Sequence, residues 1–281
     1  MKKMIAVILS LLFVLSALSG CSGGQAGNKV LTVATSPDFA PMAFVSADEN
    51  ATGNDKYVGF DMLLAQYLAD EMGMELEIKP MSFDACQTAV SLGAVDMAIS
   101  GFSWKEDRAE NYNLSDYYWA GDNEDEQILI TLAGNEGKYD SLEKLSGVKV
   151  GAQIASLQQS LCQEQLTDSE IVVVTDLTTA LMQLRNGDFD VLAVAGGYAD
   201  AMMINNSDII KTGFCFEVDP KYTGNVILMT KGEDELTATV NALLAKAEAA
   251  GYYDIWYAQA KSTAGIQVVY DEEGNAVETL P

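Results

Sequence analysis

Histidine is absent from all 281 residues. That absence removes Ser-His-Asp and Cys-His nucleophilic catalysis, and histidine metal sites with them. Arginine is nearly absent too. Arg108 and Arg185 are the only two, among 16 basic residues facing 41 acidic ones. A net charge of −25 leaves no basic patch for phosphates, so nucleic acid is not an expected partner, nor is an anionic membrane surface. Cysteine is scarce: Cys21, Cys86, Cys162 and Cys215 stand far apart with no CxxC spacing. Beyond Cys21 the count is odd, so at least one thiol is free. The three read as small core residues, with one disulfide as the alternative. No long apolar run follows the first eighteen residues, so the chain is not expected to carry anything across a membrane itself.

The first stretch is "MKKMIAVILSLLFVLSALSGC". Lys2 and Lys3 precede an apolar run to Leu18, then small residues, the layout of a secretory signal peptide over 1–20. Leu18-Ser19-Gly20-Cys21 resembles the lipobox of bacterial lipoproteins. The resemblance implies an acylated Cys21 at the mature N-terminus and a flexible glycine-rich tether over 21–29. The protein is then expected on the outer face of the cytoplasmic membrane, held there by lipid alone.

The remainder suits one large domain or two modest ones. "VLTVAT" (30–35) alternates as a strand, and "GFDMLLAQYLADEMG" (59–73) reads as an amphipathic helix ending at Gly73. The strand "MELEIKP", a helix capped by Ser82 and the buried strand "VDMAIS" complete a parallel α/β unit. The phrase recurs from "DSLEKLSG", where Asp140 and Glu143 suggest a capping box, through "VKVGAQ", "SLQQSLCQEQL", "EIVVV" and "LTTALMQLRNG" to "FDVLAVA". "SLGAVDMAIS" and "LRNGDFDVLAV" both place Gly, two residues, Asp and then an apolar strand. Two extended connections, 126–134 and 223–232, predict a hinge between two similar lobes with a cleft between them. The lobes are drawn as 30–128 with 226–281, and 129–225. The tail "GIQVVYDEEGNAVETLP" suggests a small hairpin on the first lobe.

Several phrases together resemble the extracellular solute-binding proteins of polar amino acid ABC transporters. They are "LTVATSPDFAPMAF", "YVGFDMLLAQYLADEMG", "AVDMAISGFSWKEDRAENYNLSDYYW", "VKVGAQIASLQQ" and "KGEDELTATVNALLAKAEAAGYYDIW", spanning about 30 to 257. The resemblance implies an α/β, two-lobed periplasmic-binding-protein fold of type II. It also implies capture of an amino acid or related small carboxylate by hinge closure, and delivery to a membrane permease. No cofactor is expected, and the protein is expected to act as a monomer.

Carried over residue by residue, the resemblance makes Arg108 the grip on a ligand α-carboxylate. A guanidinium suits this: it presents parallel N–H donors and stays charged at any working pH. Ser103 matches the hydroxyl donor, Gly101 the carbonyl facing the ligand ammonium, and Phe39 the aromatic lid. Phe83 matches a variable side-chain contact. Ser156 and Leu157 match a helix N-terminus whose N–H groups meet the carboxylate. Arg185, near a helix end, reads as structural.

The sequence departs from the pattern at two positions. Ala195 stands where the family usually has the acid that holds the ligand ammonium, and Ser36 where an acid is frequent. Asp38, Asp84 or Asp200 could take over. Backbone carbonyls near Gly196 and Gly197 could serve instead, or the ligand could lack an α-amino group. The rival reading is a dehydratase of a small cyclic carboxylate on the same fold, with Asp38 or Asp84 as acid–base candidates.

Overall fold

The computed structural model describes residues 29–119, 126–266, 268–270 and 276–279. The signal-peptide and Cys21 expectations lie outside them. Among the described residues no helix is long and apolar enough to cross a membrane.

Two five-stranded sheets organise the chain. The first contains β1 (Val30–Thr35), β5 (Glu75–Pro80), β6 (Met97–Ala98), β7 (Tyr112–Leu114) and β13 (Leu228–Thr230), in the order β5-β1-β6-β13-β7. The second contains β8 (Gln127–Leu132), β9 (Lys149–Gln153), β10 (Glu170–Val174), β11 (Val191–Ala195) and β12 (Ile209–Cys215), in the order β10-β9-β11-β8-β12. In each sheet one strand, β1 in the first and β9 in the second, pairs in parallel with the next two parallel strands, one on either side. A small sheet of β2 (Asp38–Phe39), β3 (Ala43–Val45) and β4 (Tyr57–Val58) sits on the first lobe.

Helices α1 (Phe60–Met72) and α2 (Phe83–Ser91) connect the first set of parallel strands, and α3 (Glu106–Asn111) precedes β7. The second lobe has α4 (Leu142–Leu145), α5 (Leu157–Gln165), α6 (Leu177–Asn186) and α7 (Gly196–Asn205). Then α8 (Asp234–Ala249) and α9 (Tyr252–Thr263) return to the first lobe. There Phe60 gathers Tyr118, Trp119, Tyr253, Trp256 and Tyr257 into one aromatic core. Burial of such large rings stabilises this lobe. The tail strands β14 (Val268–Tyr270) and β15 (Ala276–Thr279) pair antiparallel, as the hairpin expectation required.

Local signals account for most helix ends. Gly73 and Gly187 end α1 and α6 in the left-handed conformation. Ser156 and Asp176 cap α5 and α6, accepting from Gln159 N and Thr179 N. Ser82 sits at the N-cap of α2 as expected, although its hydroxyl donates to Asp84 Oδ1 at 2.6 Å and accepts from no helix N–H. The Asp140–Glu143 capping box does not form, because the N-cap of α4 is Ser141 and Asp140 pairs with Lys144.

The segment 126–134 is more than a crossing. Its strand β8 is an integral antiparallel member of the second sheet, between β11 and β12. That sheet takes the chain from Gln127, two residues before the boundary drawn at 129. The chain leaves the first sheet at Leu114 and rejoins it at Leu228. Asn225 bridges Trp119 and Ser103, so the return limb is tied to the outgoing one.

Candidate functional site: the cleft between the lobes

The carboxyl ends of the parallel strands of both sheets face one cavity, the usual place for ligands in open α/β sheets. It is lined by Phe39, Phe83, Ser100, Gly101, Ser103 and Arg108 from the first lobe. The second lobe supplies Gln153, Ser156, Leu157, Gln158, Leu177 and residues 193–195. Seven of the eight residues marked as ligand-binding from sequence therefore meet here. The eighth, Gly196, does not line the cavity. It opens α7, and its N–H donates to Glu126 O at 2.9 Å, so its neighbour Ala195 forms the wall instead.

Arg108 is 1% exposed. Its hydrogen bonds go to neutral acceptors: Ser103 O at 2.5 Å, Ala155 O at 2.7 Å and the Gln87 amide oxygen at 3.4 Å. The rings of Phe83 and Phe102 lie 5.6 and 5.3 Å from the guanidinium carbon. Burial pulls the guanidinium down to about 10, so it stays charged at neutral pH. The contrast with Arg185 is instructive. Arg185 lies at the surface and forms a two-pronged ion pair with Asp208, in keeping with a structural role.

Phe39 occupies the other side. Its ring stacks on Tyr198 of the second lobe, centroids 5.6 Å apart and planes at 18°. Gly101 faces it with φ +59°, and a Cβ there would lie 2.8 Å from the Phe39 ring. Glycine is needed on both counts.

The three acids proposed as replacements part company. Asp200 pairs with Lys211 at 2.6 Å. Asp84 accepts from Ser82. Asp38 lies at the lobe interface, just behind the cavity wall. Its Oδ1 accepts from Ser36 Oγ at 2.7 Å. Its Oδ2 accepts from Gln153 Nε2 at 3.0 Å and from Leu177 N at 2.8 Å, both on the second lobe. Burial raises its carboxyl above the ordinary value, against the lowering effect of the Leu177 N–H and the Ser36 hydroxyl. Ser36, standing where an acid is frequent, thus orients Asp38.

Gln153, Gln158, Ser100 and Leu177 also line the cavity and were not singled out from sequence. A usable signal existed. Ser100, Gln153 and Leu177 each sit at or just past the carboxyl end of a parallel strand. The cysteine reading needs a correction as well. Cys86 and Cys162 are buried free thiols, but Cys215 is exposed at the end of β12, where its side chain falls on the outer side of the alternating strand.

Comparison with known proteins agrees with this geometry. Residues 31–260 match the family model of bacterial extracellular solute-binding proteins, family 3. The arginine-binding extracellular protein ArtP of Bacillus subtilis is 27% identical over 256 residues, covering 88% of this chain and 93% of its own. The crystal structure of the amino acid ABC transporter substrate-binding protein AbpA from Streptococcus pneumoniae, bound to L-arginine, superposes with a TM-score of 0.75. It is 29% identical and covers 84% of this chain and 95% of its own. The cyclohexadienyl dehydratase of Pseudomonas aeruginosa is 27% identical over 165 residues, 58% of each chain. The two-lobed fold, a cleft built around a buried cation, and a family match running through both lobes converge on one assignment: this chain belongs to the bacterial extracellular solute-binding proteins of family 3, a binding protein and not an enzyme.

Proposed function

We propose that the protein captures an α-amino acid in this cleft, with the ligand carboxylate on Arg108, and hands it to the permease of an ABC importer. One observation carries the reading. Arg108 is a buried cation whose hydrogen bonds end on neutral oxygens. A buried charge without a counter-charge is costly by several kcal/mol, and an arriving carboxylate removes that cost. The ligand first docks on Ser103, Gly101 and Arg108 of the first lobe. The second lobe then closes with the start of α5, where Ser156 and Leu157 line the cavity. The cavity encloses about 30 Å³, room for a water or two and not for an amino acid, so the lobes must part to admit one. Ligand binds the closed form in preference to the open one, and closure follows from that difference. Lipid on Cys21 holds the protein at the outer face of the membrane, beside the permease.

A thermal-shift screen against the common L-amino acids tests this. A ligand at a hundred times its Kd stabilises by about 2.7 kcal/mol. Arg108→Ala abolishes the response while the protein stays folded. A variant that binds the same ligand as well as the parent protein overturns the assignment.

A further inference from the structure

In the closed protein, two atoms two residues apart on the second lobe meet two buried charged groups of the first. The Gln153 amide donates to Asp38 Oδ2, and the Ala155 carbonyl accepts from Arg108 Nη2. One is a nitrogen donor presented to an acid. The other is an oxygen acceptor presented to a base. A zwitterionic amino acid presents that same pair of groups. We propose that the Gln153–Ala155 stretch holds the place of the ligand: Gln153 stands where the ligand ammonium meets Asp38, and Ala155 stands where the ligand carboxylate meets Arg108. The inference rests on the amino acid reading above and deepens it. It makes Asp38 the counter-charge that Ala195 cannot supply, and it makes the ammonium a requirement of the ligand.

Four further features of the site fit this reading. Asp38 and Arg108 belong to the same lobe, so both ends of the ligand are met before the lobes close. The cavity that Gln153 lines is too small for an amino acid, as a self-filled site would be. Ala155 itself has φ +59°, and it is the one non-glycine residue with positive φ among those described. A residue with a Cβ is disfavoured there. The surrogate contact is therefore made from an unfavourable backbone conformation, and a true ligand can displace it. The Ser156 N–H is also taken up inside the loop, by Gln153 O at 3.2 Å. Movement of Gln153 would release that donor beside the incoming carboxylate.

Calorimetric titration with the best-binding L-amino acid, and with the 2-oxo acid of the same side chain, tests the proposal. In the parent protein the oxo acid binds at least about a hundred-fold more weakly, because Asp38 is left without its cation. In Asp38→Asn the amino acid falls to the level of the oxo acid, while the oxo acid stays within about two-fold of its parent value. Gln153→Leu removes the competing donor and tightens amino acid binding several-fold. Equal binding of the two ligands by the parent protein overturns the proposal. So does an Asp38→Asn protein that binds the amino acid normally or loses both ligands equally. If Asp38→Asn fails to fold, the parent comparison and Gln153→Leu still decide, and a ten-fold loss in Gln153→Leu overturns it. Binding that depends on Arg108 and not on Asp38 sinks this inference alone. A protein that binds neither ligand sinks the amino acid reading, and this inference with it.

Discussion

Phe39 of the first lobe and Tyr198 of the second stack across the cleft with ring centroids 5.6 Å apart. Phe39 also packs against the hydrophobic cores of both lobes, so one side chain joins lid and latch. Phe39→Ala removes the stack and part of a buried ring, about 1.5–3 kcal/mol of closed-state stabilisation. Ligand affinity then falls roughly 10- to 100-fold, as calorimetry would show. Tyr198 OH is buried and lacks a hydrogen-bond partner among the described residues. Tyr198→Phe therefore keeps the stack, and calorimetry should give an affinity within about two-fold of the parent.

Gly101 and Gly93 separate backbone strain from steric conflict. Both have φ near +60°, but only at Gly101 does an added Cβ meet a neighbour, the Phe39 ring at 2.8 Å. At Gly93 nothing lies within 4 Å. Gly93→Ala costs about 1 kcal/mol of stability from the left-handed conformation alone, with unchanged ligand affinity. Gly101→Ala carries the same strain and also displaces the lid, so its affinity falls at least about ten-fold. Chemical denaturation and calorimetry on the pair check the split. Equal affinities would show that Phe39 yields freely.

Most of the architecture was legible because it rests on local signals. Gly73 and Gly187 mark helix ends, and β-branched runs such as 30–35 and 170–174 become strands with the expected bounds. Arg108 could be singled out because arginine is so rare in this chain. What escaped depends on long-range pairing. β8 looks the same in sequence whether it merely crosses between lobes or pairs with β11 and β12. Gly196 and Gly197 open a helix directly after a buried strand, which no local signal announces. Gln153 and Asp38 are 115 positions apart, and no periodicity connects them. Their contact exists only when the lobes meet.

The cysteines divide by accessibility. Cys86 and Cys162 are buried, and burial raises both thiols, Cys162 to about 12. Thiolate is the reactive form, so both resist modification in the native state. Cys215 is exposed. Of these three, native protein at pH 8 should lose one thiol quickly to a disulfide reagent, and the other two only on unfolding. Mass spectrometry locates the label. Rapid labelling of Cys86 would contradict the packing of α2 against β1 and β13.

Asp61 gives the fold a pH dependence of definite sign. It lies in the first turn of α1 and is 0% exposed. Tyr118 OH donates to its Oδ1 at 2.8 Å, while Oδ2 has no hydrogen-bond partner among the described residues. Burial raises its carboxyl from 3.8 to about 7, against the lowering effect of Tyr118 and the Gly101 backbone. The folded protein therefore keeps a proton that the unfolded chain releases. The resulting stabilisation is complete below about pH 4 and is lost as pH rises through 7. A shift of this size corresponds to about 4 kcal/mol at its full extent. Asp61→Asn keeps an acceptor for Tyr118 and removes the titration. Urea denaturation of both proteins from pH 4.5 to 8 should show the variant gaining on the parent as pH rises, and exceeding it at pH 8. General repulsion in so acidic a chain affects the two nearly alike and drops out of the difference. A difference that stays constant across that range would mean Asp61 is ionised in the folded protein throughout, and that Gly101 and Tyr118 stabilise the charge more than burial opposes it.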